Sequence, residues 1–385
     1  MQCPTFNIDL NAFWQDPYPL LANMRRHAPV CYVPELDATL LTLHDDIFRC
    51  EKMVDVFSSE QPGGLMTELM GQNMMRKDGD PHLHERRQMQ PAVSPKTTKT
   101  VWAQKFDEST RQVLDTLAGE DTFDLVRDYA MPVSAHALRF VTGLTNLSVS
   151  QMDEVSQAMI DGIANYAGDK EIQQRCIDAT QLIDQSIDDM LNNETDLPSQ
   201  SILNVLRSSG QQIASLRANV KLAISGGQNE PRDAIAGTAW AVMKHPEQMR
   251  LIQNKQALWS DAFEEYARWI SPIGMSPRRM AREYIHNGYT LPRDTRAFLM
   301  FGSGNRDESV FENSSSFDLT RNTSKAISFG AGPHFCAGAA ISRSLIGEIA
   351  LPLLFQQFPH LRLDGPAPFG GWAFRGPLSM PVATI

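Results

Sequence analysis

One stretch of the chain concentrates groups able to do chemistry. Ser328 to Ala340, SFGAGPHFCAGAA, sets Cys336 in a glycine-rich loop that runs into an apolar, helix-like segment, Ile341 to Leu351. A thiol just ahead of a helix meets unpaired backbone N–H groups and the positive end of the helix dipole, and both stabilise a thiolate. The glycines let the backbone approach a large flat ligand closely. Together these are what a heme iron ligand requires. The other cysteines, Cys3, Cys31, Cys50 and Cys176, are widely spaced and contain no CxxC pair, so neither a zinc site nor a disulfide framework is expected.

Two further constellations stand out. Glu265 and Arg268 are three apart, which on a helix puts them on one face. The run Gly226-Gly227-Gln228-Asn229-Glu230-Pro231 places a carboxylate beside a proline that has no N–H to offer the carbonyl of Gly227. A helix is expected to bulge there and admit water, with Glu230 at the edge of the gap as a proton donor whose pKa rises on desolvation.

The pattern Phe329-x-x-Gly332-x-His334-x-Cys336-x-Gly338 resembles the heme-binding signature of the cytochrome P450 family. The resemblance implies heme b with the Cys336 thiolate as axial ligand, and Phe329, Gly332, His334 and Gly338 around it. It implies that Glu265 and Arg268, with Arg321 of Phe317-Asp318-x-x-Arg321, form a structural triad. It also assigns His82, Arg86, Arg279 and His334 to the heme propionates, and leaves His84 and Arg87 on the surface. Asp16-Pro17-Tyr18, His245-Pro246-Glu247-Gln248 and Asn305-Arg306-Asp307 agree with the same family.

Over the heme, the family pattern is an acid followed by an alcohol. Here Asn229 occupies the acid position and Glu230 the alcohol position, and both are assigned to proton delivery. This segment, together with Gly371-Trp372-Ala373-Phe374-Arg375-Gly376-Pro377, is similar to O-demethylating members of the guaiacol type. The substrate positions implied are Leu69, Met70, Ile163, Gly227 and Phe374. The expected activity is a heme-thiolate monooxygenase acting with dioxygen on a small molecule. The bond oxidised is expected in a methoxy group of an aromatic ether or methylated sugar, with release of formaldehyde. Alternatives are a general hydroxylase of a terpenoid or other secondary metabolite, a peroxide-driven enzyme and a non-catalytic heme sensor. No GxGxxG unit or ferredoxin cysteine cluster is present, so a separate ferredoxin and reductase are expected to supply electrons. Seven basic against three acidic residues between Arg76 and Lys105 offer such a partner a positive patch.

These groups need a scaffold. Apolar residues at helical spacing (Phe106, Val113, Leu114 and Leu117; Met152, Val155, Met159, Ile160 and Ile163) predict helices through the middle of the chain. Short strands are expected at 30–33 and 39–43, and around 289–294 and 297–300, with Pro292 and Asp294 turning the last pair. A composition of 42% hydrophobic and 21% charged residues is globular, and no repeat or linker divides the chain. The expectation is a mostly α protein with small peripheral β-sheets, a single cytochrome P450 domain over residues 1–385. A net charge of −10 argues against nucleic acid, no apolar run reaches the length of a membrane span, and the N-terminus lacks a secretion signal. A cytoplasmic location is therefore expected.

Overall fold

The computed structural model describes residues 1–165, 168–193 and 197–385. The helices that bear on the chemistry are, in chain order, α1 (Leu65–Met70), α2 (Gly79–Val93), α3 (Met131–Thr142), α4 (Val149–Ile163), α5 (Lys170–Asn192), α6 (Ile213–Ser225), α7 (Asn229–Lys244), α8 (Trp259–Ile270) and α9 (Ala339–Gln357). Strands are short and form small sheets. The described residues pack into two compact units. One comprises Met1–Gln61, Gly237–Cys336 and Pro366–Met380; the other comprises Pro62–Ala236, Ala337–Gly365 and Pro381–Ile385. Each is assembled from non-contiguous stretches, so no single cut in the chain separates them.

In the unit that begins at Pro62, α4 starts at a capping box. Ser148 Oγ accepts the Gln151 N–H at 3.1 Å and Gln151 Oε1 accepts the Ser148 N–H at 2.9 Å. Met152, Val155, Met159 and Ile160 of its expected apolar face are buried, and Ile163 at its end is partly so. Gly162 fixes how close α5 comes, because a Cβ there would lie 2.6 Å from the Cys176 sulfur and 3.2 Å from Leu69 of α1. Phe106, Val113, Leu114 and Leu117 are buried as their spacing predicts. Helix α9 alone among the described helices is long and apolar enough to cross a membrane by composition, yet it buries Leu345, Ile346, Ala350, Leu351 and Leu354 in the protein. Its middle, Arg343–Ala350, widens to π geometry, and the Ala350 carbonyl accepts the Tyr129 hydroxyl at 2.6 Å.

The expected bulge at Pro231 is instead a complete break. Helix α6 ends at Ser225 and α7 begins at Asn229, with Gly226 to Gln228 between them. The two glycines hold no helix, and Pro231 falls in the first turn of α7, where an N–H would have no helical acceptor anyway. A side chain from α3 reaches the carbonyls at this break. The Ser134 hydroxyl of α3 donates to the Gln228 carbonyl at 2.7 Å and stands 3.5 Å from that of Gly227.

In the unit that begins at Met1, β1 (Val30–Val33), β2 (Ala38–Leu41), β3 (Phe57–Ser58), β4 (Ser276–Met280) and β5 (Arg296–Leu299) form one sheet in the order β1-β2-β5-β4-β3. Only the β2–β5 pair is parallel. The turn before β5 is present, with Asp294 at φ 66°, but the segments on either side of it do not pair. Tyr289–Leu291 pairs back onto Tyr284–His286 while β5 joins the larger sheet.

In the same unit, Glu265 and Arg268 of α8 form a doubly bonded ion pair, 2.7 Å on each arm, and both side chains are essentially inaccessible. Arg268 also donates to the carbonyls of Asn305, Ser314 and Ser316. Glu265 Oε1 accepts Arg321 Nε at 3.1 Å and the Asp318 N–H at 3.0 Å. The triad is assembled, and it ties the irregular stretch 305–321 to α8. Glu265→Ala strands two guanidinium groups, one fully buried, so a loss of about 3–5 kcal/mol is expected. Urea denaturation and soluble yield measure it, and wild-type stability would show the pair to be dispensable.

Candidate functional site

The cysteine loop is held by backbone geometry. The Cys336 N–H donates to the Phe329 carbonyl at 2.9 Å, and the Phe335 N–H to that of Gly332 at 3.2 Å. Gly330 and Gly332 sit at φ 72° and 65°, the left-handed region that suits glycine. A Cβ on Gly332 would also press within 3.2 Å of the Lys52 backbone. Cys336 stands three residues ahead of α9, as the loop-into-helix pattern predicts. It is the one exposed cysteine. Burial pushes the thiols of Cys31 and Cys50 up to about 12 and that of Cys176 up to about 11, and it raises Cys3 as well.

Two supports of this loop were not legible as functional. Asn305 is fully buried, donates to the hydroxyls of Ser271 (2.9 Å) and Ser328 (3.3 Å), and accepts the Ile327 N–H at 2.8 Å. Its own carbonyl accepts from Arg268, so one residue joins the triad to the start of the cysteine loop. Glu51, also buried, pairs with Arg278 at 2.7 Å, and its other oxygen lies 3.5 Å from the Ala331 N. The signals were present, in the Asn-Arg-Asp run and in the doubled Arg278-Arg279, but sequence alone does not say which arginine turns inward. Arg278 does. Arg279, expected at a propionate, is engaged by Asp294 at 2.6 Å and by the Glu60 carbonyl at 3.1 Å. Asp294 is exposed, so that pair is worth at most about 1 kcal/mol and yields readily to a better anion.

Around the loop, the Phe329 ring meets those of Phe263 and Phe335 with centroids 6.2 and 6.3 Å apart. His334 and Gly338 are half-buried. Phe374 forms a β-bridge with Ile273. The turn from Gly371 to Phe374 lies so tightly on Pro272–Gly274 that a Cβ on Gly274 would overlap the Trp372 carbonyl.

In the second unit, His82 of α2 is buried rather than solvated, and its Nδ1–H donates to the Met74 carbonyl at 2.9 Å. The Met74 N–H donates to Asn219 Oδ1 at 2.8 Å, and Asn219 donates in turn to Glu85. Burial raises Glu85, but Lys77, Ser215 and Asn219 outweigh it and hold the carboxyl below its usual range. Arg86 is half-buried one turn after His82, while His84 and Arg87 are exposed as expected. The basic patch is thinner than its count: Arg76 is buried and Lys77 is paired with Glu85, whereas Arg87, Lys96 and Lys99 remain exposed.

Leu69 lies against Gly162, next to Ile163, so α1 and α4 bring these substrate candidates together; Met70 is buried beside them in sequence. Gly227 is required by packing, since a Cβ would meet the Ala223 carbonyl at 2.5 Å and Leu138 at 2.8 Å. Asn229 donates to Gln157 at 3.2 Å, and its amide oxygen lies 3.5 Å from the Ser156 hydroxyl, so its amide serves the contact with α4. Glu230 differs. Its Oε2 is buried with no hydrogen-bond partner, and burial pushes the carboxyl up to about 7, with the Asp233 charge adding to the rise and Arg232 and its own N–H opposing it.

This donor set fits a heme. One exposed thiol stands on a tight glycine loop while every competing thiol is desolvated. Residues 246–368 match the family model Cytochrome P450. The chain is 24% identical to the biotin biosynthesis cytochrome P450 of Bacillus subtilis over 91% of each chain. It is 26% identical to the steroid C26-monooxygenase of Mycolicibacterium smegmatis, over 89% of this chain and 86% of that one. The fold matches that of P450BioI, solved in complex with an acyl carrier protein bearing hexadec-9Z-enoic acid, with a TM-score of 0.88 at 23% identity over 97% of this chain and 100% of that one. It also matches CYP109E1 from Bacillus megaterium in complex with testosterone, with a TM-score of 0.86 at 20% identity over 96% and 98%. Cys336→Ser is expected to abolish the thiolate-type Soret band of the reduced carbon monoxide complex, and an unchanged band would remove Cys336 as the ligand. The exposed thiol on its glycine loop, the assembled triad and these matches make the chain similar to the cytochrome P450 family, whose members are heme b oxidoreductases with a cysteine thiolate ligand.

Proposed function

We propose that the protein hydroxylates a C–H bond of a small organic molecule, with the carbon of an O-methyl group in an aromatic ether or methylated sugar as the site attacked. The observation that carries this reading is Glu230 at the break between α6 and α7, whose Oε2 is buried with no hydrogen-bond partner. When bound through Cys336, heme supplies oxidation of the C–H bond using dioxygen and two electrons. His82, Arg86, Arg279 and His334 are the side chains proposed to hold its propionates. Leu69, Met70, Ile163, Gly227 and Phe374 are proposed to lie along the substrate.

Glu230 acts as the general acid. A carboxyl whose pKa is raised to about 7 is still partly protonated near neutrality, where an ordinary glutamate is not. It releases that proton at Oε2, which no protein donor or acceptor occupies. Asn229 stands beside it as the second residue proposed for proton delivery. Hydroxylation of an O-methyl carbon gives a hemiacetal, which collapses to an alcohol and formaldehyde. Electrons are proposed to come from a separate ferredoxin and reductase docking near the exposed Arg87, Lys96 and Lys99.

A second reading is hydroxylation without demethylation, favoured by relatives named as a steroid C26-monooxygenase and a vitamin D(3) 25-hydroxylase. A spin-shift screen of methoxylated aromatics, methylated sugars, terpenes and steroids, followed by formaldehyde assay, separates the two. Formaldehyde in step with substrate loss is expected. Tight methoxy-free substrates, with no formaldehyde from any methoxylated one, would establish the second reading instead.

Glu230→Gln keeps the size of the side chain and removes its acidic proton. Heme content and spin shift are expected to stay at wild-type levels, while product per electron consumed falls by about 10²-fold or more. In the wild type the protonated acid is present below its raised pKa and lost above it, so product per electron should decline as pH rises through about 7. A flat profile, or unchanged product per electron in Glu230→Gln, would make Glu230 structural.

A further inference from the structure

Glu230 has a neighbour of its own kind. Asp233 follows it by three residues on α7, on the same helical face, and is buried, while Glu230 is partly exposed with its Oε2 enclosed. Arg232 donates from Nε to Asp233 Oδ1 at 2.9 Å and lies 3.4 Å from Asp153 Oδ1 of α4. That Asp153 oxygen also accepts Gln228 Nε2 at 3.0 Å. One guanidinium therefore serves Asp153 and Asp233 while Glu230 Oε2 is left buried and unpartnered. The charged groups facing the two carboxyls are Arg232 on their own helix and Asp153 on α4.

The electrostatics follow from this arrangement. Burial pushes Asp233 up to about 6, with the Arg232 charge and hydrogen bond opposing and Asp153 adding to the rise. Burial raises Glu230 as well, with the Asp233 charge adding to the rise, and Glu230 has no direct bond to the arginine, whose charge opposes it. Two carboxyls in one desolvated site resist ionising together, and such groups titrate as a pair.

We propose that Glu230 and Asp233 hold one proton between them and that Arg232, steadied by Asp153 from α4, keeps that proton on Glu230. Arg232 and Asp153 are positioning residues in this scheme, and the scheme rests on the reading of Glu230 as the proton donor. Donation breaks the O–H bond at Glu230 and leaves two buried anions. Their repulsion, with Asp233 already committed to Arg232, draws a proton from solvent back to Glu230, where the O–H bond re-forms. The pair thus returns the donor to its protonated state before the next turnover.

Infrared difference titration of the holoenzyme reads this directly, through the C=O stretch of protonated carboxyls. Glu230→Gln should remove the band that titrates near neutrality, which assigns it. Asp233→Asn keeps an acceptor for Arg232 but deletes the neighbouring charge, so the Glu230 midpoint should fall by about one pH unit. Arg232→Gln removes the cation and should raise the Asp233 midpoint above that of Glu230, while Arg232→Lys should restore the original order. A Glu230 midpoint unmoved in Asp233→Asn overturns the pair. Should that variant fail to fold, an Asp233 midpoint equal in Arg232→Gln and Arg232→Lys overturns it as well. If the midpoints stay fixed while Glu230→Gln still lowers product per electron, the pair fails and the donor reading stands. If the midpoints shift but product per electron does not change in Glu230→Gln, the donor reading fails, and the proton-sharing pair has no role in turnover.

Discussion

Everything around Cys336 depends on one buried charge being fully satisfied. A guanidinium removed from water is tolerable only if its donors all find acceptors and its charge is matched. Arg268 meets both conditions with Glu265 and the carbonyls of Asn305, Ser314 and Ser316. Those carbonyls belong to a stretch with almost no regular structure, so the arginine does there what a sheet does elsewhere. Glu265 repeats the logic from the anionic side by taking Arg321 and the Asp318 N–H. The path then passes through Asn305 to Ile327 and Ser328, the entrance of the cysteine loop. A loop that must place a thiolate to within a fraction of an ångström is thus referenced to the most desolvated ion pair in its unit.

Residues that are close in the chain and act through the backbone are legible in the sequence. The glycine spacing around Cys336, the Glu265–Arg268 helical pair and the apolar faces of α4 and the helix before Leu117 are all of this kind. Their geometry is set by dihedral angles and a 3.6-residue period. What stayed hidden joins distant segments. Glu51 and Arg278 are 227 residues apart, and nothing local marks Arg278 over Arg279 as the inward one. Only the alternation of β4, with Arg278 and Met280 buried and Arg279 between them, decides it. The strands on either side of Asp294 were visible as strands, but their partners were not, because pairing is a tertiary choice.

The helix break shows the same boundary from the other side. Two glycines and a proline announce a disturbance, but a bulge and a break use the same residues. Which one forms depends on who takes the orphaned carbonyls. Here the Gln228 carbonyl opens α7 by accepting the Arg232 N–H at 3.2 Å, and Ser134, reaching across from α3, adds a second bond to it. With that, Asn229 and Glu230 move from the interior of a long helix to the first turn of a new one, and their surroundings change accordingly.

A glutamate in the first turn of a sixteen-residue helix should be a stronger acid than usual, since the helix dipole and the terminal N–H groups favour its anion. Its own N–H does pull Glu230 in that direction. Burial nonetheless dominates, and the reason is where the compensating charge went. Arg232, the nearest cation, sits on the same turn but is turned toward Asp233 and Asp153. Had it paired with Glu230, a buried ion pair would have formed and the carboxyl would be an inert anion at neutral pH. By committing the arginine's hydrogen bonds elsewhere, the chain leaves one carboxyl desolvated and without a direct cation partner, and its pKa rises. An alcohol at that position would need a neighbouring acid to supply its proton, whereas a carboxyl raised to about 7 already carries one. The departure from an acid followed by an alcohol is then consistent with proton delivery, because a single misfit carboxyl can combine both functions.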